Sequence, residues 1–600
     1  MAASNSTTAR RPLLDGPSDY LIVLALIVVA FATIGTWATG QLAGLLTHAS
    51  WPPVSFGQAF TVAEHLPRQL HDPKQAWPVR ARPDLPGPTG FAVSAALVLA
   101  FLVTLASVAI RRGGQDRRVR GFASPRQLRR VMSAAAVVRT GPTMRPSLKG
   151  TKIQPIDVAV SLGRTMAGLA LWVAVESSVV VIAAPRQGKT SQIIIPWLTS
   201  WPGPALVTSI RRDVLSATAA VRRKLGPVLV LAPTGMIDWP DAVQWSPASG
   251  CEDFGKAMQR ADVMVTVGKK ETSDSSGAGY FGLTATSLLA AWLHAVALTG
   301  RTMDDVLEWG FNASLDESVK ILANAPEAAP GIAKMLDSLY RNPSETRSNL
   351  FTTVQTALTP LFSKSARRSF APSHGTGLDI EEFLRSNGTI YLLVKDTQAT
   401  TLAPLISAFV DEVIETVTRI ADESPGGRLD PPFGMVLDEV ANVCPLPNLP
   451  ALMSFAGGSG IFMTVILQSM AQARQRWGQD AAEMLMGAAT VKVALGGLSG
   501  KELDAFSDLA GTYRESLTTY QSGSHGTTMQ TTLQDRKVMT PEEIRTLDEM
   551  DREALIIHAT TPVTKTRMER HYEGPNREAH AESVEWTRSY LLEARKEAAA

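Results

Sequence analysis

The chain has 600 residues, 45% of them hydrophobic and 19% charged, with a formal net charge of +2. That length exceeds a single hydrophobic core and predicts about three or four domains, while the near-balanced charge leaves any nucleic-acid contact to local basic clusters. Two cysteines, Cys251 and Cys444, and nine scattered histidines match no metal-ligand spacing, which excludes a zinc site and a disulfide framework and indicates a reducing compartment.

Near the N-terminus, Tyr20 to Trp37 form an uncharged apolar run, and a second run spans Phe91 to Ile110. Each reaches the roughly 20 residues that cross a bilayer core. The first is longer than the apolar part of a cleaved signal peptide, and a second run follows it. Arg10 and Arg11 precede the first run; Arg111, Arg112, Arg117, Arg118 and Arg120 follow the second. The positive-inside rule then puts both termini in the cytoplasm and the Pro-rich segment from about 47 to 90 outside, as a loop. Two buried core helices are the alternative, and the arginines directly beside the second run argue against it. A membrane domain over 1–120 is therefore expected, with spans at about 20–40 and 91–110.

Residues 121–155 are basic and helical in pattern, with an N-cap at Ser124 before Pro125. They are expected to be a juxtamembrane linker whose arginines hold topology or touch lipid headgroups. After Asp157, short β-branched runs alternate with helical stretches: 178–182, 205–208, 227–232, 389–394, 434–437, 461–467 and 491–495. This rhythm predicts an α/β fold with a doubly wound, mostly parallel sheet. The stretch 251–372 lacks strands and predicts an inserted all-helical domain, dividing a nucleotide-binding domain into 156–250 and 373–560. Segments 421–432 and 518–535 are predicted loops, and 561–600 a charged, helical C-terminal tail.

The run Ala183-Ala184-Pro185-Arg186-Gln187-Gly188-Lys189-Thr190, followed by Ser191, lies between a strand and a helix, as a phosphate loop requires. Gly188 lets backbone N–H groups approach phosphates, Lys189 brings charge to the β and γ phosphates, and Thr190 can ligate Mg²⁺. Ala183 stands where glycine is usual and fits only if its φ is negative. A second apolar strand ends in Asp438-Glu439, suited to holding Mg²⁺ and polarising water. The next strand ends in Gln468, an amide that can sense a γ-phosphate. ATP and Mg²⁺ are the expected cofactors. Arg474, Arg476, Lys492 and Arg514 are candidates for a cation acting on a neighbouring subunit's phosphate.

Together these residues resemble the type IV coupling proteins of conjugation and type IV secretion, the TraG/TraD type. Two spans, Gly121-Phe-Ala-Ser124, the Ala-opened phosphate loop, Trp201 to Ser209 with Asp213, Gln244 to Pro247, Leu437-Asp-Glu439, Gln468 to Gln472 and Arg536 to Pro541 carry the resemblance. Ile210-Arg211-Arg212, where a Lys is common, and Ala232-Pro233, where Asp-Pro is common, depart from it. The resemblance implies a RecA-like P-loop domain and a homo-hexameric ring on the inner membrane face. It also implies an ATP hydrolase that moves relaxase-bound, single-stranded DNA to a type IV secretion channel, with relaxosome proteins, channel components and membrane lipid as partners. Alternatives are an ATP-driven motor for protein effectors and a chromosome-type DNA translocase, although no winged-helix reader is evident after Arg545. A catalytically silent membrane scaffold is a third.

Overall fold

The computed structural model describes residues 17–69, 71–117, 121–240, 242–269, 278–373, 375–523 and 526–599. It divides into two compact units, one ending at Arg120 and the other beginning at Gly121. Of the residues used for orientation, Arg10, Arg11, Arg118 and Arg120 lie outside the described residues, as do the side chains of Tyr20 to Phe31.

In the first unit the helices Pro17–His48 and Pro88–Arg117 pack side by side. The segment between them is more than the plain loop expected from its prolines. It folds into a helix, Phe56–His65, and several 3-10 turns around a small core. Trp77 anchors that core, with its ring 4.8 Å from that of Phe91. Two glycines permit the closeness: a Cβ on Gly40 would lie 2.6 Å from the Trp77 indole, and one on Gly44 2.5 Å from Pro52. The window Pro88–Leu105 has a mean hydropathy of 2.0, yet only 11% of it is buried. Leu97, Leu99 and Phe101 are exposed along it. Among the described residues one other helical window is long and apolar enough, Phe281–Thr299 with a mean hydropathy of 1.6, but 72% of it is buried. It is packed inside the helical region, with Leu288, Leu289 and Trp292 fully enclosed.

The second unit is built on one sheet. Its strands, with those of a separate hairpin, are β1 (Ala159–Thr165), β2 (Ala170–Ala174), β3 (Val179–Ile182), β4 (Ala205–Ser209), β5 (Val228–Leu231), β6 (Thr389–Leu393), β7 (Phe433–Leu437), β8 (Ile461–Leu467), β9 (Val491–Ala494), β10 (Thr512–Gly523), β11 (Gly526–Lys537), β12 (Glu553–His558) and β13 (Thr564–Arg567). Among the described residues the sheet order is β2-β1-β13-β12-β9-β3-β8-β7-β4-β6-β5. From β9 to β5 every pairing is parallel. From β9 to β2 every pairing is antiparallel. The parallel strands are apolar on both faces because helices cover both: every residue of β3, β7 and β8 is buried. Among the described residues the named elements between β5 and β6 are all helices, from Phe254–Gly268 to Ile380–Arg385.

Four expectations need correction. Residues 121–155 are not a linker: helices Pro125–Val131 and Ala134–Met144 bury Leu128, Met132, Val137 and Met144 in the core. The Trp172 N–H of β2 donates to the Met132 carbonyl at 2.8 Å, so basic residues line only the outer side of an amphipathic pair. Helix Asp396–Glu423 runs into the loop expected from 421. Segment 518–535 is not a loop but the body of an antiparallel hairpin, β10 paired with β11 from Thr512↔Lys537 to Gly523↔Gly526. Its threonines favour extended backbone even without an apolar face.

The last correction concerns 561–600. β13 sits inside the sheet between β1 and β12, and helix Arg577–Ala599 packs against helix Asp213–Arg223. Ser583 and Thr587 are buried, and the Ser583 hydroxyl donates to the Ser216 carbonyl at 2.9 Å. Trp586 stacks on Tyr590 at 5.0 Å and carries the Arg223 guanidinium 5.2 Å from its centroid. Charges cover only the outer face of this helix. Trp586→Ala is expected to destabilise the second unit by about 2 kcal/mol, read as a lowered thermal midpoint in scanning calorimetry; a free tail would leave the midpoint unchanged.

Candidate active site

The phosphate-loop segment leaves the end of β3 without a break. The Ala183 N–H donates to the Leu467 carbonyl at 3.0 Å, its side chain is fully buried, and its φ is not positive. Alanine therefore meets no penalty there: it is the last rung between β3 and β8 rather than a turning point. The turn comes later, with Arg186 at φ 65° and Gly188 at φ 80°. A Cβ on Gly188 would fall 2.2 Å from Gln192 Nε2, so the position demands glycine for space as well as conformation. Pro185 and Arg186 are exposed, while Ala184 and Gln187 are half-buried. Gln187 lies against Gly496 and Gly497, which follow β9; a Cβ on either would come within 3.1 Å of its amide.

Thr190 and Ser191 open the following helix in a wide turn, the Ile195 N–H bonding to the Thr190 carbonyl five residues back. The next donor in that pattern is Pro196, which has no N–H. The Ser191 carbonyl is thereby left over, and the His571 N–H takes it at 2.9 Å. The Ser191 hydroxyl donates to the Gly188 carbonyl at 3.2 Å.

Lys189 points from the loop across the sheet. Its ammonium donates to Glu439 Oε1 and lies 3.4 Å from Asp438 Oδ1. Gln468 Nε2 donates to the same Glu439 oxygen at 2.6 Å. The sheet makes this meeting inevitable: β8 pairs with β3 on one side and β7 on the other, so the residues after all three strands emerge at one edge. Glu439 holds a left-handed backbone, φ 53°, an unfavourable state for a residue with a side chain. Both carboxylates are almost fully enclosed.

Burial pushes the Asp438 carboxyl up to about 6, with Glu439 adding to the rise and Lys189 opposing it. Burial alone would lower the Lys189 ammonium, but Asp438 and Glu439 outweigh that and hold it above its ordinary value. Asp438 Oδ1 and Glu439 Oε2 are buried and accept no hydrogen bond among the described residues. Glu439 Oε2 without a donor, and Asp438 Oδ1 with only the Lys189 ammonium 3.4 Å away, favour a cation or a water, so the donor set fits Mg²⁺ beside a phosphate.

Of the cations considered for action on a neighbouring subunit, Lys492 is excluded: it is buried inside β9 with its ammonium on the Ala489 carbonyl at 2.9 Å. Arg474 faces Glu502 at 3.4 Å, Arg476 donates to the Val267 carbonyl at 2.9 Å, and Arg514 pairs with Asp535 at 3.4 Å. The sequence reading missed Gln192, which is buried, donates to Glu549 Oε1 at 3.3 Å and closes the floor under Gly188. The available signal was Pro196, five residues beyond Ser191.

Removing Lys189 leaves two buried carboxylates without their cation. The Asp438 carboxyl, already raised by burial, then rises further above its unfolded value, and stability is lost as pH rises. Lys189→Ala is expected to cost about 3 kcal/mol near pH 8 and clearly less near pH 5, where Asp438 takes up a proton. Thermal midpoints across that range check it; a deficit independent of pH would contradict the pairing.

Residues 432–549 match the family model described as the TraM recognition site of TraD and TraG. Among solved structures, the chain is similar to the bacterial conjugative coupling protein TrwBdeltaN70 in its unbound monoclinic form, with 18% identity and a TM-score of 0.52, over 68% of this chain and 88% of that one. It is also similar to the trigonal form in complex with sulphate, with 17% identity and a TM-score of 0.52, over 73% and 92%. The plasmid coupling protein TrwB in complex with ADP and Mg²⁺ gives 18% identity and a TM-score of 0.51, over 68% and 89%. At such identities the likeness is one of fold. No curated protein matches the sequence. Segment 432–549 is thus similar to the TraM recognition site of TraD and TraG, and the chain shares the fold of the conjugative coupling proteins.

Proposed function

We propose that this protein is a membrane-anchored ATPase that couples relaxase-bound DNA to a type IV secretion channel and drives its transfer in conjugation. One observation carries the reading: Lys189 of the phosphate loop is held by Asp438, Glu439 and Gln468 at the carboxyl ends of β3, β7 and β8. That edge is where open parallel sheets hold their ligands.

In this reading the loop N–H groups up to Gly188 cradle the phosphates, and Lys189 leaves Glu439 to meet the β and γ phosphates. Thr190 and Asp438 would hold Mg²⁺, which when bound neutralises charge on the phosphates. The unpartnered Glu439 Oε2 takes the proton of the attacking water, while Gln468 fixes the other oxygen. The strained backbone of Glu439 aims that carboxylate inward. Phosphoryl transfer also calls for a further cation, and a head-to-tail ring, six subunits in the family, brings one from the neighbour. With Lys492 buried, Arg474, Arg476 and Arg514 remain as donors of that charge. Segment 432–549, whose family is described by TraM recognition, is the proposed meeting place for a relaxosome protein. The helices Pro17–His48 and Pro88–Arg117 are the proposed membrane anchor; the exposed apolar side chains of Pro88–Leu105 support it.

Glu439→Gln is expected to keep ATP binding while lowering hydrolysis by about 10²-fold or more, with loss of plasmid transfer. Phosphate release, nucleotide titration and a mating assay read the three effects. Unchanged turnover would remove Glu439 as the base. Plasmid transfer that persists while export of a protein substrate stops would favour the protein-secretion reading.

A further inference from the structure

The nucleotide's direction across the site follows from the strand order. Lys189, Asp438 and Glu439 attract the γ end toward β8 and β7. The nucleoside must leave on the other flank of β3, toward β9 and β12. That flank is walled by the Gly496-Gly497 turn against Gln187, and by Glu549 against Gln192.

The wall is anchored in an unusual way. The π-turn and Pro196 leave the Ser191 carbonyl open, and the His571 N–H fills it. Next to it, Arg570 is almost enclosed, donating to the Glu549 carbonyl and carboxylate, each at 2.8 Å, and to Glu573 at 3.1 Å. Residues 570 and 571 are thus fixed to the first turn of the phosphate-loop helix. Tyr572 follows them. It is 53% exposed, with the His571 ring edge-on at 5.0 Å and the Arg570 guanidinium 5.9 Å from its centroid. An aromatic ring held on two sides and open on the rest needs a reason to face water so close to a phosphate loop.

We propose that Tyr572 is the platform on which the base of the bound nucleoside triphosphate stacks. This rests on the nucleotide-binding reading above and adds the residue that holds the base. Every base presents a π face, so the platform serves ATP and GTP alike. Arg570 and His571 act as positioning residues, setting Tyr572 in place through Glu549 and the Ser191 carbonyl.

The test uses the full-length chain in detergent, titrated with ATP, GTP and inorganic tripolyphosphate. Tyr572→Ala should weaken ATP and GTP by the same factor, about tenfold, and leave tripolyphosphate unchanged. Tyr572→Phe should bind all three as the wild type does. Lys189→Ala should lose all three. Wild-type affinity for ATP in Tyr572→Ala, with Lys189→Ala still defective, overturns the platform and leaves the phosphate site standing. Equal weakening of tripolyphosphate and ATP by Tyr572→Ala also overturns it, because the loss is then not of base contact. A wild type that binds none of the three overturns both readings.

Discussion

A single ammonium held between two buried carboxylates organises this molecule. Lys189 alone in so enclosed a place would lose its charge, and Asp438 without it would be pushed further above its ordinary value. Each is tolerable only because the others are there. The grouping brings the site together, yet among the described residues Glu439 Oε2 has no hydrogen bond and Asp438 Oδ1 only the Lys189 ammonium at 3.4 Å. Such a cluster is costly as a structural device. It makes sense as one whose cation is meant to be shared with an incoming polyanion.

The rest of the second unit serves that meeting. Parallel strands apolar on both faces place three loops at one edge, and the antiparallel β12, β13, β1 and β2 extend the sheet on the side opposite Asp438 and Glu439. The C-terminal segment then folds back, through Arg570 and His571, onto the helix that begins the site. Pro196 is the hinge of that arrangement: its missing N–H opens the carbonyl that the C-terminal segment takes. The charged end of the chain is therefore joined to the phosphate loop by hydrogen bonds rather than trailing from it.

The parallel half of the sheet was legible because burial on both faces leaves unbroken β-branched runs such as Val179 to Ile182 and Ile461 to Leu467. The antiparallel half was not. β1 and β2 alternate buried and half-exposed residues over short lengths, and β13 reads Thr-Lys-Thr-Arg, with only its threonines buried. The hairpin β10–β11 is mostly polar, and its Leu517 and Leu533 are exposed, so no alternating apolar face marked it. At the site, Lys189 could be singled out by the phosphate-loop spacing, and Asp438, Glu439 and Gln468 because they directly follow strands. Gln192, Glu549, Arg570 and His571 could not, since Gln192 meets Glu549 and Ser191 meets His571 only across hundreds of residues, Arg570 is placed through Glu549, and none carries a motif. Ala183 looked like a defect in the sequence. It is the last ladder residue of β3, where a small buried side chain fits and glycine's freedom is not needed.

The central claim is that Lys189, poised on Asp438 and Glu439, is handed to the phosphates of ATP for hydrolysis. It is tested most directly by Mg²⁺-dependent phosphate release from the full-length protein and from Lys189→Ala, at saturating ATP. The account predicts turnover in the wild type and none above background in Lys189→Ala. Equal turnover in the two would contradict it.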